Sequence, residues 1–157
     1  MNTKTVTRRA ALGMFAASWA APAFSASAGT PAVLVHKDPN CGCCAGWVQH
    51  LRDNGFSVEI DEAENLAPVR RRLGVPEALA ACHTAEVAGY VVEGHVPASA
   101  IRRLLQERPD ARGLAVPGMP VGSPGMEGSR TQRYAAILFG RDGQGDYMRF
   151  EGARQID

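Results

Sequence analysis

The chain lacks any apolar run long enough to span a bilayer comfortably, which takes about 20 residues. It also lacks an excess of charge, with 17 basic against 16 acidic residues in 157. The first absence argues against a membrane-embedded body. The second removes the electrostatic footprint of nucleic-acid binding. The small basic run Arg70-Arg71-Arg72 reads as a solvated helix face. Neither an internal repeat nor a flexible linker is visible, so one domain is expected. Cysteine is scarce as well. Three of the four cysteines crowd into Asn40-Cys41-Gly42-Cys43-Cys44, whereas structural bridges usually join distant segments. A domain of this size also buries an adequate core without staples.

What is present begins with a leader. Thr7-Arg8-Arg9-Ala10-Ala11-Leu12, an alanine-rich run past Phe15 and Trp19, then Pro22 and Ala26-Ser27-Ala28 supply a basic start, a short apolar middle and an Ala-x-Ala end. Those are the parts of a secretory signal peptide. The paired arginines resemble a twin-arginine signal, a route for proteins that leave the cytoplasm folded. The expected organisation is a signal over residues 1–28 and one exported domain over residues 29–157. Loss of the leader removes Lys4, Arg8 and Arg9 and no acid, moving the formal charge from +1 to −2.

Within the domain, Ala32-Val33-Leu34-Val35-His36 reads as a buried strand that turns at Lys37-Asp38-Pro39-Asn40. The thiols follow. Cys44, Trp47, Val48 and Leu51 then recur at the spacing of a helix with one buried face, stopped by Asn54-Gly55. This stripe turns Cys44 inward and leaves Cys41 and Cys43 near the helix start. Gly42 and Gly46 offer no bulk to bury the thiols. His50 reads as a surface residue. Phe56 to Ile60 alternates as a second strand, Asp61 to Leu73 suggests a helix with Pro68 in its first turn, and Val75 to Leu79 a short helical turn. Ala81 to Val87 and Tyr90 to Glu93 form a hairpin around Ala88-Gly89. Pro97 opens a third helix with Ile101, Leu104 and Leu105 inward, ended by Pro109.

The order strand, helix, strand, helix, strand, strand, helix, with thiols at the start of the first helix, matches an α/β thioredoxin-like domain. In such domains the loop leading into the third strand lies beside that helix start, and Cys82 falls there. From Gly113 to Glu127 the chain is interrupted by Pro117, Gly118, Pro120, Gly122, Pro124 and Gly125. A long Gly/Pro-rich loop is therefore expected rather than a helix or a central strand. Met119 and Met126 within it either fill apolar gaps or offer soft thioethers to copper(I). Tyr134 to Phe139 and Asp146 to Phe150 read as a terminal hairpin.

Four thiols admit several chemistries. The helix start favours thiolates. A single tetrahedral zinc ion is hard to reach from three ligands in four consecutive residues. An iron–sulfur cluster suits an oxidising compartment poorly. Thiol-disulfide exchange needs only Cys41 as the attacking and Cys44 as the resolving thiol, leaving Cys43 and Cys82 without a role. Because adjacent Cys43 and Cys44 point apart, they more easily hold different ions, as in a small thiolate-bridged copper(I) cluster. The thiol count favours metal over exchange, although silver, mercury and zinc also suit thiolates.

Cys41-Gly42-Cys43-Cys44 with Trp47, Cys82-His83-Thr84-Ala85, Gly89-Tyr90 through Ala98, and Gly113 through Glu127 together resemble the CopG family of exported copper-resistance proteins. This is a thioredoxin-like family also described as a domain of unknown function with a predicted metal-binding role. The resemblance covers nearly the whole exported part and implies a multinuclear copper(I) site on Cys41, Cys43, Cys44 and Cys82. It also implies a periplasmic location and copper cycled between Cu(I) and Cu(II), which would make the protein a copper oxidoreductase. Copper ions are then the partner, together with a periplasmic redox protein or copper-efflux components. Met119, Met126 and His83 are candidate additional ligands. His95 is read first as a hydrogen-bonding loop residue.

Overall fold

The computed structural model describes residues 30–157. The expected signal over residues 1–28 lies outside them. Among the described residues the chain forms one mixed α/β domain with an eight-stranded sheet. The strands are β1 (Val33–Lys37), β2 (Val58–Glu62), β3 (His83–Val87), β4 (Tyr90–Gly94), β5 (Gly113–Val116), β6 (Arg133–Gly140), β7 (Gly143–Glu151) and β8 (Arg154–Gln155). The helices are α1 (Gly42–Asp53), α2 (Ala67–Leu73) and α3 (Ala98–Glu107), with a 3-10 turn at Glu77–Leu79. The spatial order is β2-β1-β3-β4-β5-β6-β7-β8. β1 runs parallel to β2 and β4 parallel to β5, while the remaining neighbours are antiparallel.

Side-chain alternation along the central strands divides the core into two layers. Val35, Val92 and Leu114 meet Trp47, Val48 and Leu51 of α1 and Ile101 and Leu104 of α3. Their strand neighbours Val91 and Ala115 meet Leu73 of α2, Leu79 and Phe139 in the second cluster. One strand in from the sheet edge, His36 is buried with Nδ1 2.8 Å from Asp61 and Nε2 2.9 Å from Glu86, which also accepts from Arg72 at 3.1 Å. That chain of polar contacts links β1, β2 and β3 to α2.

Three expectations about elements need correction. Gly113–Val116 is not loop but a fully buried central strand between β4 and β6. Gly113 belongs there because a Cβ would collide with the Val91 backbone, so this glycine marks close strand approach rather than a turn. The second strand lies two residues later than its alternation indicated: Phe56 precedes it, buried, and Asp61-Glu62 complete it. It is an edge strand exposed over most of its length, so polar residues extend it freely. The second helix is correspondingly shorter, beginning at Ala67, whose N–H is capped by Asn65 at 3.0 Å. Residues 117–132 contain no helix or strand.

Candidate metal centre

Cys41 is the N-cap of α1, and Cys43 and Cys44 occupy its first turn. The unpaired N–H groups there favour thiolate sulfur. The core-facing stripe takes Cys44 to complete burial, while Cys41 and Cys43 remain half-buried. Strand β3 pairs with β1 so that the residue preceding it, Cys82, arrives beside this turn. Cys44 Sγ lies 3.8 Å from the Cys82 carbonyl oxygen. The four sulfurs all lie within 4.8 Å of one another. Cys41 and Cys44 are joined by a disulfide, and Cys43 Sγ lies 3.5 Å from Cys41 Sγ.

A carboxylate fixes the backbone that delivers Cys82. Glu93 of β4, wholly buried, accepts from the Ala81 N–H at 2.7 Å, Arg70 Nε at 2.8 Å and Thr84 Oγ1 at 2.6 Å. Arg70 also donates to the Ala81 carbonyl. Both polar groups of the residue before Cys82 are thus taken. Burial pushes the Glu93 carboxyl up from its ordinary value, and the bonds from Thr84, Ala81 and Arg70 pull it back.

Two histidines complete the surroundings. His95 Nδ1 donates to the Pro124 carbonyl at 2.7 Å, which fixes the ring as that tautomer and leaves Nε2 with its lone pair 2.9 Å from Cys82 Sγ. Burial holds His95 below its ordinary value, partly opposed by the Pro124 carbonyl. His83 Nδ1 lies 3.4 Å from the same sulfur, and its ring sits 4.2 Å from the Trp47 ring. Burial and then His95 bring His83 down to about 3, so it is neutral. Its Nε2, wholly buried, has no hydrogen-bond partner among the described residues. Burial and then Cys43 push the Cys82 thiol up to about 12. Burial thus disfavours the charged form of both Cys82 and His95, the opposite of what a thiolate–imidazolium nucleophile pair requires.

The segment 122–127 lies across the first turn of α1. Gly125, at φ +85°, sits where any Cβ would be 2.5 Å from the Cys43 carbonyl oxygen and 2.6 Å from the Trp47 nitrogen. Gly46 meets the same segment, its absent Cβ 2.9 Å from Gly125 Cα. The lack of bulk at Gly46 admits the Gly125 backbone against the first turn of α1.

Two solved structures are similar to this chain. One, named "Copper resistance protein copG- Form 2", is 45% identical with a TM-score of 0.70, over 82% of this chain and 99% of that one. Another, "Copper resistance protein copG- Form 1", is 44% identical with a TM-score of 0.69, over 81% of this chain and 98% of that one. The chain belongs to the CopG family. The family described as "Protein of unknown function, DUF411" matches residues 79–126, from Leu79 through Cys82, His83 and His95 to Met126. No curated protein matches.

In this CopG-family chain the fold gathers Cys41, Cys43, Cys44 and Cys82, with His83 adjoining. Met119 is 42% exposed at φ +50°, whereas Met126 is half-buried in the segment beside α1. His50 is not the surface residue its sequence position indicated: half-buried, it accepts the Ala98 N–H at 3.1 Å and so caps α3. Trp47 also exceeds its expected role as a core residue, since its Nε1 donates to the Val96 carbonyl at 2.8 Å. His95 is the hydrogen-bonding loop residue its sequence position indicated, with its partner a carbonyl 29 residues away. Its one sequence signal was its place inside the Gly94-His95-Val96-Pro97 motif.

Proposed function

We propose that this chain is an exported, periplasmic copper(I)-binding protein of copper resistance, with a multinuclear thiolate-bridged site on Cys41, Cys43, Cys44 and Cys82. The observation that carries this reading is the convergence of four sulfurs within 4.8 Å, with Cys82 brought from 38 residues beyond Cys44. The names of the similar structures support copper as the ion. The unlike burial of adjacent Cys43 and Cys44 favours separate ions linked by shared sulfurs. The order β2-β1-β3-β4 with thiols at the start of α1 supports a thioredoxin-like core, extended by β5 to β8. The described residues include no helix long and apolar enough to cross a membrane. The leader over residues 1–28, of twin-arginine type, would deliver the domain.

The site also has the means to cycle copper. Closing the Cys41–Cys44 disulfide from two thiols releases two electrons and two protons, enough to reduce two Cu(II) ions to two Cu(I) ions. A periplasmic thiol reductant would reopen it, and copper-efflux components would take the ions. The disulfide itself favours a second reading, thiol-disulfide exchange by Cys41 and Cys44 alone.

Anaerobic titration of the reduced protein with Cu(I) against a chromogenic chelator separates the two. A shared cluster takes up several ions per chain, with copper–sulfur scattering in X-ray absorption, and Cys82→Ser lowers the count. Exchange catalysis without copper, undiminished in Cys43→Ser and accompanied by no copper uptake, would overturn the metal reading.

A further inference from the structure

The disulfide between Cys41 and Cys44 removes two sulfurs from the cluster but leaves a second group of donors intact. Cys43 and Cys82 are the free cysteines among the described residues, and their sulfurs stay within 4.8 Å. Cys82 also belongs to a distinct cluster with His83 and His95, whose donor atoms likewise lie within 4.8 Å of one another. Cys82 is the one residue common to both groups.

His95 is arranged as a metal-binding histidine. Its Nδ1–H is spent on the Pro124 carbonyl, an outer bond of the kind that fixes the tautomer and orientation of such rings. Its free Nε2 aims at Cys82 Sγ from 2.9 Å, and separating the two slightly admits an ion between or beside them. His83 stands behind the same sulfur, wholly buried, with the unpartnered Nε2 noted above. Two imidazoles with the Cys82 thiolate form a mixed nitrogen–sulfur donor set, distinct from the all-sulfur set proposed for the reduced chain.

We propose that the oxidised chain, with Cys41 and Cys44 joined, retains a residual site for one soft monovalent ion, held by Cys82, His83 and Nε2 of His95. This site presupposes the copper-binding function proposed above. Disulfide closure would then discharge part of the bound metal rather than all of it. Cys82 would pass from bridging several ions to anchoring one.

Silver(I) tests this without altering the disulfide, since it neither donates nor accepts electrons there. Mass spectrometry after alkylation first confirms two free thiols and the Cys41–Cys44 link. Equilibrium titration of that oxidised protein is expected to give one tightly held silver ion, and the reduced protein several. His95→Gln should weaken the oxidised site about tenfold or more, while the ion count of the reduced form persists. Because that variant also loses the Pro124 bond, the wild-type protein provides an independent reading: ¹⁵N spectra should show the His95 Nε2 resonance shifting on silver addition while Nδ1 keeps its proton. An oxidised protein that binds no silver, or a His95 Nε2 signal unmoved at saturation, would overturn the residual site. If instead the reduced protein bound no more ions than the oxidised one, the four-thiolate function would fail and the residual site could stand.

Discussion

Replacing Gly125 by alanine tests the close approach between the 122–127 segment and α1. Two costs arise at once. A residue with a Cβ held at φ +85° loses about 1–2 kcal/mol relative to glycine. The new carbon would also lie 2.5 Å from the Cys43 carbonyl and 2.6 Å from the Trp47 nitrogen, both backbone atoms of a hydrogen-bonded helix. They have no rotamer with which to yield, so the segment must lift. Lifting withdraws the Pro124 carbonyl from His95 Nδ1, and a buried ring nitrogen left unpaired costs about 1–3 kcal/mol. The expected loss is therefore about 2–5 kcal/mol in urea unfolding monitored by tryptophan fluorescence. Faster amide exchange confined to residues 122–127 and the first turn of α1 should accompany it. Gly42→Ala, in the same turn, is the control: its Cβ would meet nothing within 4 Å, so stability should hold or rise slightly. A Gly125→Ala protein within about 0.5 kcal/mol of the parent, as for an ordinary surface change, would refute the steric reasoning.

Acidification should weaken the α1–α3 junction, because burial holds His50 below its ordinary value and its neutral Nε2 accepts the Ala98 N–H. That stability is present in full above the unfolded pKa of about 6.5 and is lost as pH falls through the lowered folded value. Paired unfolding curves at neutral and mildly acidic pH should show this loss shrinking in His50→Gln. Glu93→Gln replaces an acceptor of three donated bonds by an amide that cannot accept them all, so a loss of about 1–3 kcal/mol is expected, together with faster alkylation of Cys82. Unchanged alkylation would mean that the clamp does not hold this sulfur. Trp47→Phe keeps most of the ring but orphans the Val96 carbonyl, for an expected loss of about 1–3 kcal/mol by calorimetry, and no loss would show that water replaces the indole donor.

Much of the centre was legible from local pattern. The stripe through Cys44, Trp47, Val48 and Leu51 gave the orientation of α1, and the element order brought Cys82 to its start. Long-range backbone contacts were not legible. Gly113 looked like a loop residue because a glycine required by a neighbouring strand has no local signature. The alternation of Phe56 to Ile60 gave the wrong strand bounds, since an edge strand with one partner tolerates Asp61 and Glu62. His36 gave no sign that Asp61 and Glu86 would close on both its nitrogens from separate strands. His50 was misread for a related reason: its partner, the Ala98 N–H, is 48 residues away.

The segment over α1 returns directly to β6, with Gln132 donating its N–H to Val121 at 2.9 Å and Gly122 donating to Met126 at 2.7 Å. A chain cut after Val116 would keep every cysteine and both nearby histidines, yet lose the carbonyl that sets the His95 tautomer. The clustered side chains and the protonation of His95 are thus governed by different parts of the domain. The irregular segment ahead of the late hairpin places the proton on His95 and decides which ring nitrogen faces the Cys82 sulfur.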